Sequence, residues 1–366
     1  MNGQNIRVLE LSGTPYDMGY AHGAAYRGEI RAFAEERVRL SGDPLWTGRA
    51  FSKGDVLELA EACLAEHERF APELAEELRG MAQATGLSLA ELVVINGFTD
   101  FIDTVYNARP TLAPTPAQSA IPVGADNCTA FLVPDGRAQG QGFFGQTWDM
   151  HAGATPHVIL LRGRPEGAPA FLAFTTVGCV GMIGMNEAGV AVGINNLLGA
   201  DGQVGVTWPF VVRKMLQEET AAGALEVLRS ANLAGAHNYL VMDQDGRGYN
   251  VEATSTAQHV TVLKDEALVH TNHCTVSNTR DAERTRDPAS QASSVAREAR
   301  AETLLDRDEV TLDDLQTLTR DPTVCVRAAP PKHVETCGAA LMRPATGDFL
   351  AVWGLPTKNE YEHFRL

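Results

Sequence analysis

The strongest constraint on this chain is a change of hydrophobic period at residue 128. Upstream, from Gly54 to about Asn96, apolar residues fall at helical spacing: Leu74, Leu78 and Met81 recur at i, i+4 and i+7, one buried helix face. Ser88, with Glu91 three residues later, forms a capping-box pattern that predicts a helix over Leu89–Ile95. From Asp103 to Asp126 the periodicity disappears and Pro110, Pro114, Pro116 and Pro122 accumulate, which reads as a loop. Directly after it, Cys128–Val133 is a short apolar run closed by the turn pair Asp135-Gly136.

Strand-like runs dominate from there: Phe143–Asp149, His157–Arg162, Ala170–Val177, Gly189–Asn195, Asn238–Asp243 and Gly248–Thr254. Helical patterns at Trp208–Leu228 and Ser293–Leu305 interrupt them, and Thr311 with Asp314 caps a further helix. Gly338–Met342 and Phe349–Trp353 return to strand across a turn at Ala345-Thr346-Gly347. Many strands with helices inserted in blocks predict an α+β layered fold.

Composition removes several function classes. The formal net charge is -16, from 30 Lys and Arg against 46 Asp and Glu, so no nucleic-acid partner is expected: phosphate binding needs clustered cations. Met1–Gly13 lacks a basic stretch followed by an apolar run, and no run of apolar residues reaches membrane-spanning length. No signal peptide, membrane partner or secretion is therefore expected, and the location expected is cytoplasmic. The six cysteines at 63, 128, 179, 274, 325 and 337 form no C-x-x-C and suit reduced thiols in that compartment.

Cys128 stands apart because it opens a strand at the end of a Pro-rich linker. A thiol there is placed to attack the carbonyl of Asn127, forming a thioester that water opens. The product chain begins with Cys128, which then carries nucleophile and base together. An unperturbed thiol titrates near 8.5 and a free α-amine at about 7.7–8, so the amine serves as base near neutral pH. The competing reading is a cysteine that merely starts a buried strand.

Four segments resemble the family of penicillin acyltransferases (isopenicillin N acyltransferase), which also includes β-alanyl-dopamine hydrolases. They are Asp126-Asn127-Cys128-Thr129-Ala130; Gly145-Gln146-Thr147-Trp148-Asp149; Gly184-Met185-Asn186-Glu187-Ala188-Gly189 running into Gly193-Ile194-Asn195-Asn196; and Thr271-Asn272-His273 followed by Ser293-Ser294-x-x-Arg297. The opening Gly13-Thr14-Pro15-Tyr16-Asp17-Met18-Gly19, with Gly23, is similar to the family's first segment. Asn127 departs from the family's usual Gly before the cleaved bond, and Asn is the non-glycine residue that best tolerates a left-handed backbone. Asn127-Cys128-Thr129 also spells a glycosylation sequon, a coincidence without secretion.

The resemblance implies a four-layer αββα sandwich, the N-terminal-nucleophile hydrolase fold. Residues 1–127 would form a small subunit, helical with the processing loop at 103–126, and residues 128–366 the catalytic large subunit. It implies a self-cleaving cysteine amidohydrolase or acyltransferase that works through a thioester acyl-enzyme. Its partners would be a small amide or acyl thioester, an amine acceptor in the transferase case, and its own cleaved N-terminal fragment; no cofactor or metal is implied. Asp149 would orient the new amine or the substrate, with a strand-end turn residue as the alternative. Asn195 and Asn272 would donate to the oxyanion, a contribution of about 2.7–4 kcal/mol for one good donor; the alternative is the ordinary preference of Asn for turns. Arg297 would hold a carboxylate bidentately, that of Asp149 or of a substrate, or belong to a solvated helix face.

Other patterns carry less. His270, His273 and Cys274 lie close together, but alternation along a strand separates their faces, which argues against a metal. No papain-like signature surrounds Cys128, Gly13 and Gly19 do not make a phosphate loop, and His22 reads as a packing residue. The remaining class is an inactive or unprocessed scaffold or binding protein that retains the fold.

Overall fold

A computed structural model describes residues 5–108 and 128–366. The segment before Cys128 opens with strand β1 (Arg7–Gly13) and continues through helices α1 (Pro15–Ala25), α2 (Arg27–Ser41), α3 (Pro44–Thr47), α4 (Lys53–Phe70), α5 (Pro72–Thr85), α6 (Leu89–Ile95) and α7 (Phe98–Asn107). After it come β2 (Thr129–Val133), β3 (Phe143–His151), β4 (Val158–Pro165), β5 (Phe171–Thr176), β6 (Ile183–Asn186) and β7 (Ala191–Asn196). Helices α8 (Trp208–Met215) and α9 (Ala221–Ser230) lead to β8 (His237–Met242), β9 (Gly248–Ala253), β10 (Gln258–Val262) and β11 (Leu268–His270). Then follow α10 (Ser277–Arg280), α11 (Pro288–Leu305), α12 (Leu312–Arg320), β12 (Val334–Arg343), β13 (Asp348–Trp353) and β14 (Glu362–Arg365).

Among the described residues these strands form two sheets, ordered β1-β4-β5-β6-β7-β8-β9-β10 and β11-β2-β3-β12-β13-β14. The sheets face one another. A Cβ on Gly193 of β7 would meet Phe144 and Gln146 of β3, and one on Gly338 of β12 would meet Phe174 of β5. On the outer face of the smaller sheet, Phe131 of β2 shares an apolar cluster with Ala301 and Leu305 of α11 and Leu315 and Leu318 of α12. On the outer face of the larger sheet pack α8 and α9. The order helix, sheet, sheet, helix is the αββα arrangement of an α+β fold.

The opening glycine motif is a packing device. Thr14 caps α1 by accepting from Asp17 N, with Pro15 in the first turn. A Cβ on Gly19 would lie 1.8 Å from Glu77 O, and one on Gly80 would lie 2.0 Å from Tyr16 O. Only glycine at both crossings lets α1 and α5 approach this closely. The capping boxes at Ser88/Glu91 and Thr311/Asp314 form as the sequence predicts.

α11 and β12 start earlier than expected, at Pro288 and Val334, and two further boundaries differ for reasons the contacts supply. The loop expected from Asp103 begins later: residues 103–107 are the end of α7, where Asp103 is buried and its Oδ2 accepts Ala236 N at 3.0 Å. Residues 109–126 of that loop lie outside the described residues. The helix expected over Trp208–Leu228 is two helices, because Thr220 caps α9 separately and Asn186 Nδ2 binds the freed carbonyls of Leu216 and Glu218. Among the described residues no single helix is long and apolar enough to cross a membrane.

Candidate active site

Cys128 leads into β2, and the antiparallel pairing of Thr129 with Thr147 brings the far end of β3 beside it. Asp149 N donates to Cys128 Sγ at 3.4 Å, and the thiol reaches Asp149 O at 3.8 Å. Cys128 is 1% exposed and Asp149 fully buried. Asn127, the expected residue before the cleaved bond, lies outside the described residues.

Arg297 is placed by the buried stripe of α11. Asp287 caps that helix, Pro288 opens it, and Ser294, Arg297, Ala301 and Leu305 turn inward at helical spacing. The guanidinium is fully buried, which rules out the solvated helix face. Nη1 donates to the Cys128 carbonyl at 2.5 Å and to Thr129 Oγ1 at 3.1 Å, while Nη2 donates to Asn272 Oδ1 at 2.9 Å. Burial lowers its pKa to about 10, against the opposing pull of Asp149 and Cys128, so it stays a cation at neutral pH.

Asn272, two residues past β11, is held on every side. Its N–H donates to Ser294 Oγ at 2.9 Å and its Nδ2 to the Asn196 carbonyl at 3.0 Å. Ser294 also meets Thr271 Oγ1 at 3.0 Å and His273 Nδ1 at 2.9 Å, so the two halves of the fourth sequence segment bind each other. Asn195 differs. It is fully buried, its Oδ1 accepts from Asn238 Nδ2 at 3.5 Å, and its Nδ2 has no hydrogen-bond partner among the described residues. Alternation along β7 puts Asn195 on the face of Gly193, towards the smaller sheet and β2.

All five expected residues after Asn127 are therefore buried; Cys128, Asp149, Asn272 and Arg297 are brought together directly, and Asn195 sits beside Asn196, whose carbonyl Asn272 holds. The sequence motifs include Thr129 and Ser294 without giving them a role, and Asn238 was missed. A signal existed for Ser294, which precedes Arg297 by three residues and so shares its helix face.

Behind this group the sheets are joined by a polar bridge. Glu252 of β9 meets His270 Nε2 of β11 at 3.0 Å and accepts from Thr275 N at 2.8 Å and from Thr279. Burial works to raise the Glu252 pKa, but the bonds from His270, Thr275 and Thr279 carry it down to about 2. His273 Nε2 lies 3.2 Å from Glu298. Both rings weighed as metal ligands are thus engaged by protein groups.

A model of the family described as acyl-coenzyme A:6-aminopenicillanic acid acyl-transferase matches residues 137–354, a span that includes Asp149, Asn195, Asn272 and Arg297 and begins after Cys128. The 40 kDa form of acyl-coenzyme A:6-aminopenicillanic-acid-acyltransferase from Emericella nidulans is 26% identical over 274 residues, 74% of this chain and 70% of that protein. Among solved structures, the Caenorhabditis elegans ortholog of N-acylethanolamine-hydrolyzing acid amidase aligns with a TM-score of 0.44 at 14% identity, over 60% of this chain and 93% of that one. A mutant of the conjugated bile acid hydrolase from Clostridium perfringens aligns with a TM-score of 0.44 at 14% identity, over 65% of this chain and 97% of that one.

Proposed function

The chain belongs to the acyl-coenzyme A:6-aminopenicillanic acid acyl-transferase family, and from that premise we propose that Cys128 is released by self-cleavage after Asn127 and acts as the nucleophile of amide or thioester acyl transfer. The observation that carries this reading is the grip of Arg297 on the Cys128 carbonyl and on Asn272, with the Asp149 N–H on the sulfur. A fixed cation and an N–H donor next to a thiol favour its thiolate, the reactive form.

In the proposed reaction the α-amine of Cys128 takes the thiol proton and Asp149 orients that amine. The thiolate adds to the substrate carbonyl, whose oxygen takes the open Nδ2 of Asn195 and the second N–H of Asn272. The carbonyl re-forms, the leaving group departs with the proton from the amine, and a thioester remains on Cys128. Water or an amine acceptor then takes the acyl group. Asn272 has already given one N–H to Asn196, so Asn195 is the stronger candidate donor.

Residues 1–127 would remain attached after cleavage as the small subunit. The parallel pairing of β1 with β4, from Arg7 with Ile159 to Gly13 with Pro165, supports this. Six buried cysteines outside any disulfide suit the reducing cytoplasm, and the charge of -16 repels nucleic acid. The second reading, a scaffold that keeps the fold without activity, draws on the 1% exposure of Cys128. Intact-mass analysis separates the two. Two fragments, the second starting at Cys128, together with loss of both cleavage and acyl transfer in Cys128→Ala, are expected; a folded protein that stays at full mass sinks the proposal.

A further inference from the structure

Where β7 and β8 pass β2, the inner face of the larger sheet carries polar side chains. Residues paired across antiparallel strands share a face, so Asn195 on β7, Asn238 opposite it on β8 and Glu252 opposite Asn238 on β9 point the same way. Gly193 fixes the direction, because a Cβ there would run into Gln146 and Phe144 of the facing sheet. Glu252 agrees, reaching His270 of that same sheet.

Asn238 Nδ2 is committed to Asn250 Oδ1 at 2.6 Å and Asn195 Oδ1 at 3.5 Å. Two atoms of the row then have no hydrogen-bond partner among the described residues: the donor Asn195 Nδ2 and the acceptor Asn238 Oδ1, on two fully buried side chains. Buried polar groups are normally paired, and leaving one open is costly. A neighbouring open donor and open acceptor fit a ligand that offers one of each from the two heteroatoms on one carbon.

Resting on the acyl-transfer reading above, we infer that Asn238 is a specificity-determining residue whose Oδ1 accepts the N–H of the scissile amide while Asn195 Nδ2 takes the oxyanion, so that the site selects secondary amides over thioesters. In a planar trans amide C=O and N–H point apart. Once the thiolate adds, the S–C bond forms, the C=O π pair moves to oxygen, and the carbon becomes tetrahedral. The nitrogen is now pyramidal and its N–H turns to the side of the oxyanion. An acceptor there fixes the N–H and aims the nitrogen lone pair at the α-ammonium of Cys128, which supplies the proton as the C–N bond breaks and C=O returns. A thioester has no N–H to offer Asn238.

The test compares 4-nitroacetanilide with S-(4-nitrophenyl) thioacetate on the processed enzyme. Asn238→Ala is expected to lower kcat/KM for the anilide by about tenfold to a hundredfold more than for the thioester, which loses only what the 3.5 Å contact with Asn195 contributes. Asn238→Ser, which keeps a smaller acceptor, is expected to recover part of the anilide activity. Equal losses on both substrates, or a wild type that turns over the thioester and not the anilide, overturn the inference. If Asn238→Ala does not fold, wild-type rates on the N-methyl anilide, normalised to hydroxide, decide: a ratio near one overturns it. Failure of both substrates to acylate Cys128, read by intact mass, instead removes the acyl-transfer reading and this inference with it.

Discussion

One guanidinium ties Cys128 to Asn272: Arg297 Nη1 holds the Cys128 carbonyl at 2.5 Å and Nη2 holds Asn272 Oδ1 at 2.9 Å. The main chain of Cys128 and the loop that carries Asn272 are thus registered by one rigid planar group. A fork of this shape cannot be replaced by a point charge.

Arg297→Lys is therefore expected to lose acyl transfer by more than about a hundredfold, since one ammonium cannot serve Cys128, Thr129 and Asn272 together. Stability should fall by about 3 kcal/mol, because buried acceptors lose charged donors. Paired kcat/KM and thermal-melting measurements check it; a variant with normal activity shows that the clasp is dispensable.

Asn195 and Asn272 should separate by experiment. Asn195→Ala removes a donor that no described residue uses, so kcat should fall by about 10²–10³ with stability changed by less than about 1 kcal/mol. Asn272→Ala also strips a partner from Arg297 and from the Asn196 carbonyl, and should cost about 2 kcal/mol besides. Urea melts of both variants, beside their kinetics, read the difference; equal destabilisation contradicts the open-donor assignment of Asn195.

These contacts mark what the sequence could and could not convey. The period change at Cys128 and the capping boxes at Ser88 and Thr311 are local signals, and the structure follows them. The loop expected at Asp103 failed because a carboxylate in the last turns of α7 is held by Ala236, 133 residues away, a partner no window of sequence reveals. β1 has no strong strand signature either; its exposed alternate residues leave only Leu11 deeply buried, and pairing with β4 creates it. Asn238 was invisible for the same reason: its meaning lies across β7 and β9.

The glycine crossing of α1 and α5 yields a stability contrast. Gly19→Ala would press a methyl into Glu77 main-chain atoms that cannot swing aside, and is expected to cost about 3 kcal/mol. Gly28→Ala, in α2 with nothing within 4 Å of its Cβ, should instead stabilise by about 0.5–1 kcal/mol through helix propensity. Denaturant midpoints of the two single variants check the sign of each; a neutral Gly19→Ala refutes the close packing.

Acid should weaken the fold through histidines that it keeps neutral. Burial lowers His22 and His67 from 6.5 to about 4. Each is locked as an acceptor, His22 Nε2 from Gly178 N at 3.0 Å and His67 Nε2 from Thr207 N at 3.3 Å. Because the folded values lie below the unfolded one, the unfolded chain binds protons first as pH falls. The stabilisation is complete above pH 6.5, declines between 6.5 and about 4, and stops declining once the folded rings protonate, a loss of about 3 kcal/mol for each. His22→Gln keeps an acceptor for Gly178 and has no proton to gain. Urea midpoints from pH 7.5 to 4.5 should therefore fall less steeply for His22→Gln than for the wild type. Parallel curves would mean that His22 titrates alike in both states, and the neutral buried ring would have to be abandoned.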